Sequence, residues 1–428
     1  MAHHVGRRTF LAQIAASGLA ARMPLTSDLT SPFLAFAPAA EDSDDAVFAA
    51  ARRQFLFPEN VTYCNTGTLG ASPREVMDAL VSGLERIERE LPDWPYFQSD
   101  GEPLTGYQPL TAFRAEAGAF INAPAEEIAF TQNATMGMSF LANGLDVAAG
   151  DEVVTTNQEH SGGIGGWRLR AKRHGVVVKE LPLLPGLENG PDGVVKLFAD
   201  AITPQTRVVM FSHITSGLGI RLPARELCAL ARERGALSIV DGAQAVGQIR
   251  VDVKEIGCDA YAASPHKWLL APKGTGILYI RREVQPRFWN TLASAVIDND
   301  ALGAFRFMQY GTGSLPVIHG LRASLRFFNK IGMERIERWD AMLTKRLRDG
   351  LAHIPAARLS SPADPRLAAA ITTFGVSGRT GRQVQDALWE RKIRVRAQGG
   401  DLGVRLSAHL YVSPADIDRV LEVVSSLR

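Results

Sequence analysis

The chain reads as an α/β protein: a large domain with a mostly parallel sheet flanked by helices, followed by a smaller α+β C-terminal domain. Three observations predict this. Between residues 128 and 280, short apolar segments alternate with helix-length segments, the pattern of strand–helix–strand crossovers. The residues capable of chemistry fall just after those apolar segments, where open parallel sheets bind ligands. After about residue 315 the texture changes to long helical stretches and isolated strands.

The 428 residues are 46% hydrophobic and 21% charged, which is ample material for a large core. Basic and acidic residues balance at 47 and 45, so nothing argues for nucleic acid or an anionic membrane surface as a partner. The three cysteines, Cys64, Cys228 and Cys258, form no C-x-x-C pair, and no metal site is expected.

Residues 1–39 have the anatomy of an export signal. Arg7-Arg8-Thr9-Phe10-Leu11 opens an alanine-rich, weakly apolar run too short for a membrane span, and Ala37-Pro38-Ala39 supplies a small-residue cleavage site. The paired arginines resemble the twin-arginine motif, which predicts a periplasmic or secreted protein with no membrane segment in its mature form. Residues 40–64 are expected to form an arm packing with the small domain, 65–315 the large domain and 316–428 the small one.

Within the body, residues 73–90 have amphipathic helical spacing, and 91–109 form an irregular segment holding Trp94, Tyr96, Phe97 and Tyr107. Strands are expected at 128–131, 152–156, 176–181, 208–212, 237–240, 260–263 and 277–280, with helices at 134–145, 164–174, 194–202 and 224–233. Beyond them, 322–351 reads as one or two helices, 369–376 and 393–396 as strands, and 414–427 as a final helix.

Five stretches carry the chemistry. Thr131-Gln132-Asn133-Ala134-Thr135 opens a helix and offers either an anion site or an ordinary cap. Asn157-Gln158-Glu159-His160 ends a strand with an imidazole that could stack on a flat ligand, move protons or serve structure alone. Ser212-His213-Ile214-Thr215-Ser216-Gly217 is a pocket wall or a turn. Val240-Asp241-Gly242-Ala243-Gln244 sets a carboxylate against an apolar strand, where it needs a positive partner, such as a pyridinium N–H, or a turn to cap.

The fifth is Ser264-Pro265-His266-Lys267-Trp268, between two apolar segments. A lysine held dry loses affinity for its proton and becomes a nucleophilic amine, the form that condenses with an aldehyde. Lys267 is therefore read as the lysine that holds pyridoxal phosphate as a Schiff base, with Asp241 keeping the ring nitrogen charged.

Together, T-x-N-A-T, E-H, H-I-T-S, D-G-A-Q, S-P-H-K and the late Arg405-Leu406-Ser407-Ala408-His409-Leu410-Tyr411 resemble the class V aminotransferases of PLP-dependent fold type I. The resemblance runs from about Asn65 to the C-terminus and is nearest to isopenicillin-N epimerase-like and cysteine desulfurase-like proteins. It implies that Ala134, Thr135, Ser264 and His266 hold the phosphate. It places His160 on the ring, Asp241 on the ring nitrogen and Gln244 on the ring oxygen, and it makes Lys267 the proton shuttle. Gly311 and Thr312 are implied to reach the phosphate of a neighbouring subunit, hence a homodimer. Arg405 is implied to clamp the substrate α-carboxylate, with Ser216 beside it.

One departure bears on the reaction. The segment before Arg405, residues 396–404, lacks the cysteine of the related desulfurases. The expected chemistry is thus epimerase-like or aminotransferase action at the α-carbon of an amino acid or peptide-like substrate, with C–S or β-elimination lyase activity as the alternative. His213 and Tyr107 are conceivable second acids. A non-catalytic binding role sits poorly with Lys267, Asp241 and Arg405 all present. A dinucleotide site at Gly163-Ile164-Gly165-Gly166 is excluded because the last glycine of that fingerprint is missing.

Overall fold

The computed structural model describes residues 36–93, 109–293 and 300–427. The export segment and the aromatic residues Trp94, Tyr96, Phe97 and Tyr107 lie outside the described residues. Residues 38–428 form one compact unit, to which the following description applies.

Its core is a seven-stranded sheet built from β2 (Ile128–Thr131), β3 (Glu152–Thr156), β4 (Val177–Leu181), β5 (Thr206–Ser212), β6 (Leu237–Asp241), β7 (Ala260–Ala263) and β8 (Gly276–Ile280), after a short β1 (Thr62–Tyr63). The spatial order is β2-β8-β7-β6-β5-β3-β4. Only β8 runs against its neighbours. Every residue of β6, β7 and β8 is buried, as expected for strands covered on both faces. Edge strand β4 is half-exposed and pairs Lys179 with Glu152 at 2.7 Å.

The helices include α1 (Asp44–Arg52), α2 (Arg74–Glu90), α3 (Thr111–Phe120), α4 (Ala134–Gly144), α5 (Ser161–His174), α6 (Gly190–Ala201) and α7 (Ala224–Glu233). Helix α5 begins three residues earlier than its apolar spacing predicts. Gly162 and Gly163 carry no periodic signal, yet His160 caps the turn by accepting the Gly162 N–H at 3.1 Å.

The C-terminal part contains α8 (Leu315–Ile331) and α9 (Met333–Ala352), two helices split at Gly332, whose φ of 89° ends the first. Its sheet has the order β12-β13-β10-β9, from β9 (Ala357–Leu359), β10 (Ile371–Val376), β12 (Arg396–Ala397) and β13 (Val404–Ser407). The single strand expected at 393–396 is in fact two. β11 (Ile393–Arg394) leaves this sheet and pairs in parallel with β1, and only β12 joins β13. Strands of three or four residues without an unbroken apolar run give alternation little to register on, so β9 and β13 escaped the pattern. Helices α10 (Gly381–Glu390) and α11 (Pro414–Ser426) complete the chain, each opened by a capping box.

The segment before β1 lies against the C-terminal part. Phe48 stacks on Trp339 with ring centroids 4.4 Å apart, and Arg335 pairs with Asp44 at 3.1 Å. No helix among the described residues is long and apolar enough to cross a membrane.

Candidate active site

Six strands run in one direction, so their carboxyl ends share one edge of the sheet. Asp241 ends β6 and is in register with Ser212 at the end of β5 and Ala262 on β7. Thr131 ends β2 and leads into α4. Thr156 ends β3 and leads to His160. Ala263 ends β7 and leads to Lys267. This edge surrounds a cavity of about 300 Å³ lined by Thr135, His160, Ser216, Asp241, His266, Lys267 and others, including Asn133, Ala134, Ser264 and Arg396.

Lys267 is half-buried, and its Nζ makes no hydrogen bond to a described residue. Burial pushes its ammonium down to about 8 against the opposing pull of Asp241, and Arg405 and Arg396 lower it further. Asp241 is displaced upward, chiefly by burial. Its Oδ1 accepts the Ala243 N–H at 2.9 Å. Its Oδ2 is crowded by α5: a Cβ on Gly163 would come within 2.4 Å of it, and one on Gly162 within 2.3 Å of Thr135 Oγ1. Bare backbone is therefore required on this wall, and the space it leaves belongs to the cavity.

Hydrogen bonds settle two imidazoles. His160 Nδ1 accepts from a backbone N–H, so its hydrogen sits on Nε2. Burial, with Lys267 adding, lowers its affinity for a second proton. His266 Nδ1 lies 3.0 Å from the carbonyl oxygen of Thr275 and must donate to it, leaving Nε2 as the free position. At the start of α4, the Ala134 N–H donates to Ser264 Oγ at 3.0 Å and the Met136 N–H to Asn133 Oδ1 at 2.8 Å. The Thr135 N–H between them and the Thr135 hydroxyl remain for a ligand.

Arg405 is 1% exposed with no acidic partner among the described residues. Nη1 donates to Ser216 O and Oγ, Nη2 to Asn65 Oδ1 and Thr68 Oγ1, and Nε is buried without a hydrogen-bond partner among the described residues. Burial and the nearby Arg396 lower its pKa to about 10. Such a guanidinium awaits an anion.

The expected residues do not all meet. Gln244 stands behind the wall: its Nε2 donates to Gly67 O and Ser216 Oγ, and its Oε1 accepts from Trp268 Nε1 at 2.7 Å. Gly311 and Thr312 line a separate cavity of about 130 Å³ with Thr131 and Gln132. His213, considered as a second acid, opens instead onto a cavity of about 610 Å³ and is tied through Nδ1 to Tyr261 at 2.9 Å.

Sequence reasoning missed Arg396, Thr68 and the role of Gly163. The Gly399-Gly400 and Gly403 turn signals between Arg396 and Arg405 would have suggested a hairpin placing the two arginines opposite each other.

The parts fit pyridoxal phosphate. A half-buried amine, a buried carboxylate with one open oxygen, a helix start with an unused N–H and a slot walled by glycine backbone surround one ring-sized space. The fold and this site define a PLP-dependent enzyme of fold type I. The description "Aminotransferase class-V" matches residues 105–420, and the chain belongs to that family. It is 30% identical to isopenicillin N epimerase of Amycolatopsis lactamdurans, over 89% of this chain and 98% of that protein. It is also 30% identical to a probable cysteine desulfurase of Pyrococcus abyssi, over 72% and 82%. Among solved structures, a C-DES mutant with glycine covalently linked to its PLP cofactor aligns with a TM-score of 0.79 at 25% identity, over 88% of this chain and 99% of that one. The same protein in complex with cysteine persulfide is described as a cystine C–S lyase.

Proposed function

We propose that the protein is an exported, homodimeric enzyme that moves the α-proton of an amino acid or peptide-like substrate, with an epimerase-like or aminotransferase outcome. One observation carries the reading: a half-buried amine on the cavity, at Lys267, whose proton affinity is lowered, and a buried guanidinium without an acid partner among the described residues adjoining it, at Arg405. An α-amino acid presents the complement of both, an amine and a carboxylate on one carbon.

When bound, pyridoxal phosphate supplies an electron sink that acidifies the α-carbon of an attached amine. Asp241 would hold the ring nitrogen through Oδ2. Thr135, through its N–H and hydroxyl, would hold the phosphate, joined by His266 Nε2 when both nitrogens of that ring carry hydrogen, while Ser264 steadies the helix start through Ala134. The neutral ring of His160 would cover one face. Lys267 Nζ would take the α-proton and return it, and Arg405 would fix the carboxylate so that the C–H bond faces that nitrogen. Lysine at position 405 could not replace the planar fork.

The cysteines oppose desulfurase chemistry. All three are buried, none lines the cavity, and burial raises each thiol above its usual range. A sulfur atom leaving the substrate would find no thiolate to receive it. A lyase reading survives this point, since elimination needs no acceptor thiol, and the likeness to C-DES favours it as the second reading.

Export is supported by the paired arginines at the N-terminus. The homodimer is supported by the Gly311–Thr312 segment beside Gln132 and by Met77, Val81 and Leu84, which leave an apolar stripe of α2 exposed. The test is incubation of the holoenzyme with free amino acids and tripeptide-sized amines in deuterated water. α-Deuteration with loss of optical purity reports epimerisation, keto-acid formation transamination, and an unsaturated or keto product with a released β-substituent elimination. No exchange at any α-carbon would overturn the proposal.

A further inference from the structure

Arg396 and Arg405 stand directly opposite each other in the antiparallel pair of β12 and β13. Opposed residues project from the same face of a sheet, and like charges so placed repel. Their side chains converge on one hydroxyl: Arg405 Nη2 donates to Thr68 Oγ1 at 2.6 Å and Arg396 Nη1 approaches it at 3.5 Å. Neither forms an ion pair with a described acidic side chain, and Asp241 is the only carboxylate lining the cavity among the described residues. The two guanidiniums differ in what they have left to give. Arg405 is buried, and four of its five N–H groups already meet neutral acceptors. Arg396 is exposed, lines the cavity, and among the described residues its side chain makes that one long hydrogen bond alone.

One carboxylate does not need both. One fork satisfies a carboxylate through two parallel bonds, for which Arg405 would exchange some of its neutral acceptors, and a second arginine held beside it carries repulsion that a further anion relieves. We propose that Arg396 is a specificity residue for a second anionic group on the substrate, placed next to the α-carboxylate that Arg405 receives. This rests on the reading of Arg405 given above and narrows the substrate class to amino acids or peptide-like amines that carry an additional acid function. The second group is held at the open side of the cavity, because Arg396 is exposed and Arg405 is not.

The test uses the holoenzyme and measures binding, without turnover, by calorimetric titration. The probes are succinate, glutarate and adipate, each set against its half-amide, which removes one charge at constant size. The expected result is that at least one diacid binds about tenfold or more tightly than its half-amide. Arg396→Gln should bring that ratio near one while leaving half-amide affinity unchanged. Arg396→Lys should keep part of the preference, because charge remains without the fork. Equal affinities in the wild type, or no binding of any diacid, would overturn the inference. So would equal weakening of diacid and half-amide in Arg396→Gln, which would mean that both arginines share one carboxylate. None of these results depends on whether the α-proton exchanges, so the inference and the proposed reaction fail separately.

Discussion

His409 Nε2 lies 2.8 Å from the carbonyl oxygen of Trp268, and its Nδ1 lies 2.7 Å from Asp340 Oδ2. Trp268 follows Lys267 directly, and His409 lies two residues past β13, which carries Arg405. A buried histidine thus joins the lysine turn to the arginine strand, with Asp340 of α9 behind it. The carbonyl can only accept, so Nε2 carries hydrogen, and the Nδ1–Oδ2 contact retains a further proton between the partners.

Removing the histidine should cost far more than neutralising the aspartate. His409→Ala leaves a buried carboxyl unpaired and an orphaned carbonyl, a loss of about 3–5 kcal/mol. In Asp340→Asn the amide still donates to Nδ1, and the cost is about 1–2 kcal/mol. Urea denaturation of both variants measures this. Equal losses would show that the bridge to Trp268 contributes nothing.

Gly163→Ala should damage the site without unfolding the chain. The added methyl would stand 2.4 Å from Asp241 Oδ2, so either α5 or the carboxylate must move. Apparent cofactor affinity is expected to fall about tenfold or more, because the displaced oxygen is the one left for the ring nitrogen. Thermal denaturation and spectrophotometric cofactor titration separate the two effects; unchanged cofactor affinity would place Asp241 outside the binding contacts.

The rate at which the apo-protein captures pyridoxal phosphate, trapped with borohydride, should rise with pH and level off above about 8, where Nζ is uncharged. An exposed lysine would keep gaining rate up to its ordinary value near 10.5. Arg396→Gln removes a positive neighbour, favours the ammonium and should move the midpoint upward. A downward move would contradict the electrostatic account. Lys267→Ala should keep the fold and lose the trapped adduct.

Glu159 sits half-buried beside the site, accepting from Thr156 Oγ1 at 2.7 Å and Ser212 Oγ at 2.6 Å, with no cationic partner among the described residues. Burial pushes its carboxyl up to about 7, against those hydroxyl bonds, and Asp241 adds to the rise. The folded state therefore holds this proton more tightly than the unfolded chain. The stability it confers is complete below about 4.5 and is lost as pH rises toward 7, by on the order of 2–3 kcal/mol. Glu159→Gln lacks that slope, so the difference in stability between wild type and variant should change between pH 5 and pH 8 in the variant's favour. A difference that is flat with pH would mean the carboxyl is ionised throughout.

Much of this was legible in the chain. Six of the seven central strands lie within one residue of their expected bounds and the seventh, β5, begins two residues early, because all but the half-exposed edge strand β4 are largely buried and read as apolar runs. The residues after them, His160, Asp241 and Lys267, were legible for the same reason: in a parallel sheet, sequence position relative to a strand is position in space. The small sheet was less legible, since β11 and β12 are two residues each and serve different partners.

The amino-acid sequence by itself determined the parallel sheet, the lysine and its partner carboxylate, and the family. These depend on local apolar runs and on residues adjacent to them in the chain. Only the tertiary structure decided that Gln244 is spent on Gly67, Ser216 and Trp268, that His213 opens onto another cavity, and that Arg396 faces Arg405. Such facts depend on which donors meet which acceptors across tens or hundreds of residues, and burial sets their energy; neither is written in any one stretch of chain.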